Sequence, residues 1–179
     1  MRSIRRANDD DLPDIIALRS ESEKWLAEQG IEQWTSKWDE VGRRKLRDSV
    51  QRREAWVVED EGQTIATVTL NTRPDLDFWR PEVDGPALYL YKMLVARKRS
   101  GEGVGAEILD WATDRAAKDG FPYLRLDVWR TNHALQRYYL ANGFEHVRTE
   151  VVPGRDSGAC FQRRAVRISN LKLREESQG

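Results

Sequence analysis

Thirteen residues in the middle of the chain, Met93-Leu-Val-Ala-Arg-Lys-Arg-Ser-Gly-Glu-Gly-Val-Gly105, constrain its fold more than any other stretch. An apolar strand runs into a loop with three alternating glycines, and the loop opens a helix. Alternating glycines let backbone N–H groups turn toward a ligand and approach it closely. The helix start adds N–H groups without intrahelical acceptors and the positive end of a dipole. Together these make an anion site suited to phosphate, and Arg97, Lys98 and Arg99 add positive charge just upstream. A P-loop is excluded, because no Gly-Lys-Ser/Thr follows. Gly101-x-Gly103-x-x-Ala106 does match the looser dinucleotide pattern, with Asp127 downstream. Against that reading, five residues separate Val95 from Gly101, where the dinucleotide fold needs its first glycine almost at the strand end. The glycines also sit mid-chain, leaving little length for a second nucleotide-binding half, and Asp127 lies inside a strand.

Around this segment the pattern predicts one mixed α/β domain. Residues 2–7 read as a strand. Asn8 caps the next helix with Asp11 as its partner, and Pro13 sits in the first turns. Leu12, Ile15, Ile16, Trp25 and Leu26 recur at helical spacing up to Gly30. Residues 39–53 predict a polar second helix despite Gly42. Residues 55–59 and 64–70 predict a hairpin turning at Glu61-Gly62-Gln63. Residues 72–86, with Pro74, Phe78, Trp79, Pro81, Gly85 and Pro86, read as a long loop, functional or mobile. A central strand at 87–95 and a helix at 104–119, stopped by Gly120, bracket the glycine loop. In that helix Val104, Ile108, Trp111 and Ala112 share one side. A strand at 123–129, a short helix at 133–142, and a closing antiparallel pair at 144–152 and 161–168 follow. This order indicates an α/β fold with a mixed sheet. The domain organisation expected is a single domain over 1–171 with a charged, disordered tail at 172–179.

Composition narrows the function classes. Thirty basic residues balance thirty acidic ones, so no general pull toward nucleic acid or anionic membrane is expected. Cys160 is the only cysteine, which rules out an intrachain disulfide and suits a reducing, cytoplasmic setting. No apolar run has the length of a signal peptide or a membrane span. With only His133 and His146 and one cysteine, no metal site is expected.

The segment ending at Gly105 resembles the acyl-CoA pyrophosphate loop of the GNAT N-acetyltransferases, Arg/Gln-x-x-Gly-x-Gly/Ala. Gly101, Gly103 and Gly105 align with its glycines, and the spacing from Val95 is kept. Ser100 stands where Arg or Gln is usual, so Arg97 or Arg99 is the substitute side-chain clamp. A second block, Asn132-His-Ala-Leu-Gln-Arg-Tyr-Tyr-Leu-Ala-Asn-Gly-Phe144, is similar to the family's Asn…Tyr…Gly-Phe signature, at the matching distance downstream.

The resemblance implies a mostly antiparallel central sheet with splayed strands, flanked by helices, and acetyl-CoA as donor. The strand ending at Val95 would splay from the strand at 123–129. The pantetheine arm would pair with Met93, Leu94 and Val95, whose N–H groups polarise the thioester carbonyl. The diphosphate would rest on the N–H groups of Ser100, Gly101, Glu102, Gly103, Val104 and Gly105, and Asn132 would hydrogen-bond the arm. Tyr139 would protonate the departing thiolate. Some group must take the proton of an amine whose ordinary pKa is near 10.4. Asp127 is one candidate, Glu82 and Asp84 others. Trp25, Trp34, Trp38, Phe78 and Trp79 are expected to wall the acceptor, together with Tyr89 and Tyr91. Asp75, Asp77, Glu82 and Asp84 would supply negative charge. The expected partner is a small-molecule or peptide amine, and a homodimer stays open. Two other readings remain at this point: an NAD(P)-binding oxidoreductase, and a silent module of the same fold that binds CoA or a protein.

Overall fold

A computed structural model describes residues 1–31 and 39–177. Trp34 and Trp38 lie outside the described residues. Eight strands hydrogen-bond into one mixed sheet in the order β6-β7-β5-β4-β3-β2-β1-β8, with helices flanking it. In chain order they are β1 (Ser3–Arg6), β2 (Ala55–Asp60), β3 (Gln63–Asn71), β4 (Leu88–Val95), β5 (Tyr123–Trp129), β6 (Glu145–Thr149), β7 (Ser157–Arg164) and β8 (Arg174–Glu175). The helices are α1 (Leu12–Glu28), α2 (Asp39–Gln51), the single turn α3 (Pro81–Asp84), α4 (Val104–Lys118) and α5 (His133–Ala141). No described helix is long and apolar enough to cross a membrane. Two compact units divide the chain, one of residues 1–70, 92–108 and 171–179, the other of residues 71–91 and 109–170.

In the first unit, Asn8 starts the helical region as the sequence predicts. Its Oδ1 accepts from the Asp10 N–H, and its own N–H donates to Asp11. The box caps a 3₁₀ turn at Asp9–Asp11 that runs on into α1. Asp11 also receives two hydrogen bonds from Arg5, and this guanidinium holds its carboxyl below the ordinary range. The hairpin of β2 and β3 turns at Glu61 and Gly62, whose φ of 51° and 75° are the pair that a tight right-twisted hairpin requires. Ile15, Leu46, Val50 and Val57 pack together between α1, α2 and the sheet, each such buried side chain contributing about 1.5–3 kcal/mol. Gly42 is explained by α1: a Cβ there would collide with the guanidinium of the buried Arg19.

The tail differs from expectation. Arg174 and Glu175 pair in parallel with Ser3 and Ile4, and Leu173 is 2% exposed. Gln178 and Gly179 lie outside the described residues. One buried leucine and a sheet edge ready to accept hydrogen bonds order a segment whose composition reads as solvated.

In the second unit, the ladder of β4 with β5 is parallel and limited to Leu88 with Leu124 and Tyr89 with Arg125. β5 continues along β7, and β7 along β6, both antiparallel. The closing pair is therefore present but shifted, since β7 begins at Ser157 rather than 161. Gly158 lies within β7 at a point where a Cβ would collide with the Glu150 carbonyl.

The segment 72–86 is not a free loop. Phe78 and Trp79 are each 1% exposed, and α3 lies within it. Arg125, itself 2% exposed, holds it: its guanidinium donates to the carbonyls of Asp84 and Gly85 and stands 5.0 Å from the Trp79 ring centroid. Arg148 donates to Asp84 and to the Phe78 carbonyl.

Leu173→Ala is expected to cost roughly 2–4 kcal/mol in chemical denaturation; a change near zero would mean the tail is ordered without stabilising anything. Arg125→Met removes a buried guanidinium from two half-buried carbonyls and is expected to cost roughly 2–4 kcal/mol. It should also expose residues 72–86 to limited proteolysis.

Candidate active site

Strand β4 carries the glycine loop. Its end is pinned in the first unit: the Ala96 N–H donates to the Ile65 carbonyl, and Leu94 and Ala96 pack against Leu18 of α1. The Leu94 side chain therefore belongs to the core, leaving its backbone as the part a donor can meet. A 3₁₀ turn at Arg97–Arg99 follows, which is why Gly101 stands away from the strand. Gly101 and Gly103 have φ of 83° and 79°, and no atom lies within 4 Å of where a Cβ would stand. The glycines are there for backbone conformation, and the space a side chain would fill stays open. Val104, 1% exposed, anchors the start of α4. The N–H groups of Val104, Gly105 and Ala106 begin the helix and have no intrahelical acceptor. This geometry fits a diphosphate cradle. It does not fit the dinucleotide arrangement, which the intervening turn displaces.

The charged side chains of the loop are largely occupied. Arg99 pairs with Asp60 and Glu102, and Arg2 joins Glu102, Glu107 and Asp60. Arg99 is thus committed to the protein and is not the clamp replacing the usual Arg or Gln. Arg97 stacks on Trp25, its guanidinium carbon 3.8 Å from the ring centroid, and its N–H donates to Glu21. One face of Trp25 is taken by Arg97, which leaves its other face for the acceptor wall expected of it. Ser100 is exposed, as its position in the pattern requires.

The remaining predicted residues lie in the second unit. Asn132 caps α5, its Oδ1 accepting from the Leu135 N–H at 3.1 Å. Tyr139 is 5% exposed, its ring edge-on to Phe144 at 5.5 Å. Burial, with Tyr138 and Asp127 nearby, pushes its hydroxyl well above the usual phenol range. No described protein group accepts its O–H in a hydrogen bond. Asp127 is half-buried and receives the Ser157 hydroxyl. Burial raises its carboxyl above the ordinary range against the opposing effect of Ser157, and Asp75 adds to the rise. Tyr91 stacks on Tyr89 at 6.5 Å and donates to the Arg73 carbonyl.

Two expectations about the acceptor change. Trp79 is enclosed by Tyr89, Arg125 and Arg148 and presents no wall to a ligand. The acidic residues of 72–86 are neutralised: Arg155 pairs with Asp75 and Asp77, and Arg148 holds Asp84 below the ordinary carboxylate range. Asp77 and Glu82 are the exposed acids there. Sequence reasoning missed Ser157, Arg125 and Lys92. For Lys92 a signal existed, a charge inside an otherwise apolar strand.

Comparison with known proteins agrees with this geometry. A model of the acetyltransferase (GNAT) family matches residues 19–144. An uncharacterised N-acetyltransferase of Bacillus subtilis is 25% identical over 139 residues, 76% of this chain and 77% of that protein. A GNAT-family acetyltransferase of Listeria monocytogenes superposes with a TM-score of 0.74 at 22% identity, covering 91% of this chain and 94% of its own. The PaiA N-acetyltransferase of Thermoplasma acidophilum, solved with coenzyme A, superposes with a TM-score of 0.68 at 18% identity, covering 92% and 99%. With a glycine cradle at the end of β4 and the family model spanning most of its length, the chain belongs to the GNAT family of acetyltransferases.

Proposed function

We propose that this acetyl-CoA-dependent N-acetyltransferase passes its acetyl group directly to a primary amine of a small molecule or peptide in one ternary complex, with Tyr139 as acid and Asp127 as base. The observation that carries the donor half is the pair of left-handed glycines, Gly101 and Gly103, opening onto the start of α4. The diphosphate rests on N–H groups from Ser100 to Gly105, and the pantetheine arm pairs with Met93–Val95. The coenzyme A bound by the Thermoplasma protein supports the same donor here. Arg97 adds charge from its stack on Trp25, and Asn132 adds a polar contact from the start of α5.

The acid–base assignment follows from burial. A phenol held above its usual range stays protonated at every working pH, so Tyr139 always has a proton to give when the amine displaces the thiolate. A carboxyl raised by burial binds protons more tightly than a free one, so Asp127 is a stronger base than any exposed acid of the 72–86 segment. Asp127 acts electrostatically on both Tyr139 and Tyr91, and Tyr91 is among the described aromatic residues left to meet the acceptor.

A screen of amines by thiol release from acetyl-CoA, with calorimetry for the donor, tests the reading as a whole. Tyr139→Phe is expected to lower kcat about 100-fold or more while leaving acetyl-CoA binding intact; unchanged turnover would remove the residue from the mechanism. For Asp127 the sign can be worked through. Its folded pKa is raised, so its stabilising effect is present at acid pH and lost as pH climbs through that value. Asp127→Asn should therefore raise stability at neutral pH, lower turnover, and erase the acidic limb of the kcat/KM profile. Lower stability together with a retained limb would show that Asp127 serves only the fold.

A further inference from the structure

Lys92 lies in β4 immediately before Met93, and the fold treats it unlike the other residues of that strand. Its φ is 50°, left-handed, in the middle of a strand. Such a conformation is strained for a residue with a side chain. It also disturbs the in–out alternation: Tyr89 and Tyr91 stack on one another, whereas beyond Lys92 it is the even residues Leu94 and Ala96 that pack on Leu18. The Lys92 side chain is half-buried, and its Nζ makes one long hydrogen bond, 3.5 Å, to the Lys45 carbonyl of α2. No carboxylate among the described residues pairs with it.

We propose that the Lys92 ε-amine is itself an acetyl acceptor, taking the group from acetyl-CoA bound along Met93–Val95. The inference rests on the donor site proposed above. The neutral Nζ attacks the thioester carbonyl carbon, a C–N bond forms, and the C–S bond breaks. The attacking nitrogen loses one proton and the departing thiolate takes one up, so coenzyme A leaves as its thiol with no net proton released.

The surroundings of Lys92 favour the neutral amine this step needs. Burial lowers its pKa to about 8. The cations Lys45 of α2 and Arg19 of α1 act in the same sense, against Asp48 of α2 and Glu54 just beyond it. Near pH 7 about one molecule in ten is then neutral, against about one in 2,500 for an ordinary lysine. The lysine bearing this amine is thus the immediate chain neighbour of the backbone expected to hold the acyl group, and its Nζ reaches the Lys45 carbonyl of α2. That proximity is what makes an intramolecular transfer fast.

The test uses the full chain with acetyl-CoA and no added amine, followed by digestion and mass spectrometry of every lysine. Lys92 is expected to be acetylated at least about tenfold faster than the exposed Lys24, Lys98, Lys118 and Lys172. Its rate should rise with pH and level off near 8, where ordinary lysines keep rising toward 10.4. Excess coenzyme A, or Gly103→Val in the donor loop, should suppress labelling of Lys92 and leave the slow labelling of exposed lysines unchanged. Labelling of Lys92 no faster than its neighbours, or equally fast in the Gly103→Val chain, overturns the inference. Acetyl-CoA that binds by calorimetry while Lys92 stays unmodified overturns it alone. Failure of acetyl-CoA to bind overturns the donor site and the inference with it.

Discussion

The structure depends on how the chain between Ala96 and Val104 is held. Both ends are buried, Ala96 by its hydrogen bond to Ile65 and its packing on Leu18, Val104 by the core beneath α4. The intervening residues must then climb from a strand end to a helix start along a path fixed at both sides. A 3₁₀ turn and two left-handed glycines achieve this, and the space beside Gly101 and Gly103 stays open. Side chains at 101 or 103 would oppose that path at roughly 1–2 kcal/mol each. The loop is therefore organised before any ligand arrives, and a preorganised site spends less of its binding energy on ordering.

Arginines do most of the remaining fixing, each in a different way. Arg5 neutralises Asp11 beside the Asn8 cap, Arg2 and Arg99 gather Asp60, Glu102 and Glu107 around the glycine loop, and Arg148 and Arg155 clip 75–84 to the strands below. Arg125 pairs with carbonyls and aromatic faces, a choice the planar, weakly hydrated guanidinium permits where an ammonium would not. A chain of zero net charge can in this way be densely charged without being sticky: the charges are spent on each other. This is also why the acidic loop that reads as an attractor for cationic substrates is largely neutral in the folded protein.

What was legible in the sequence was whatever is local. The hairpin at Glu61-Gly62, the cap at Asn8, the face of α4 formed by Val104, Ile108 and Trp111, and the left-handed glycines at 101 and 103 all follow from short-range pattern, and the structure contains each of them. What failed required knowledge of a distant partner. Trp79 reads as exposed until Tyr89, Arg125 and Arg148 enclose it. Leu173 reads as tail until β1 offers an edge. Of the proposed residues, Tyr139 came from the resemblance and Asp127 from the need for a base, while the Ser157 contact was invisible because nothing in its neighbourhood in sequence refers to Asp127, thirty residues earlier.

One physical effect unites the groups with chemistry to perform. Burial penalises whichever form carries charge, so it raises Tyr139 and Asp127 and lowers Lys92. In each case the neutral form is favoured: a phenol that keeps its proton, a carboxyl that wants one, an amine that gives one up. Direct acetyl transfer to an amine needs these three tendencies, because its attacking species is a free amine and its leaving group a thiolate that must be protonated. An acceptor amine entering the same desolvated surroundings would feel the same lowering as Lys92, so part of the deprotonation that a base must otherwise drive is done by the environment. Asp127 then need only carry the proton away, which a moderately raised carboxylate can do and a fully solvated one of lower pKa does less well.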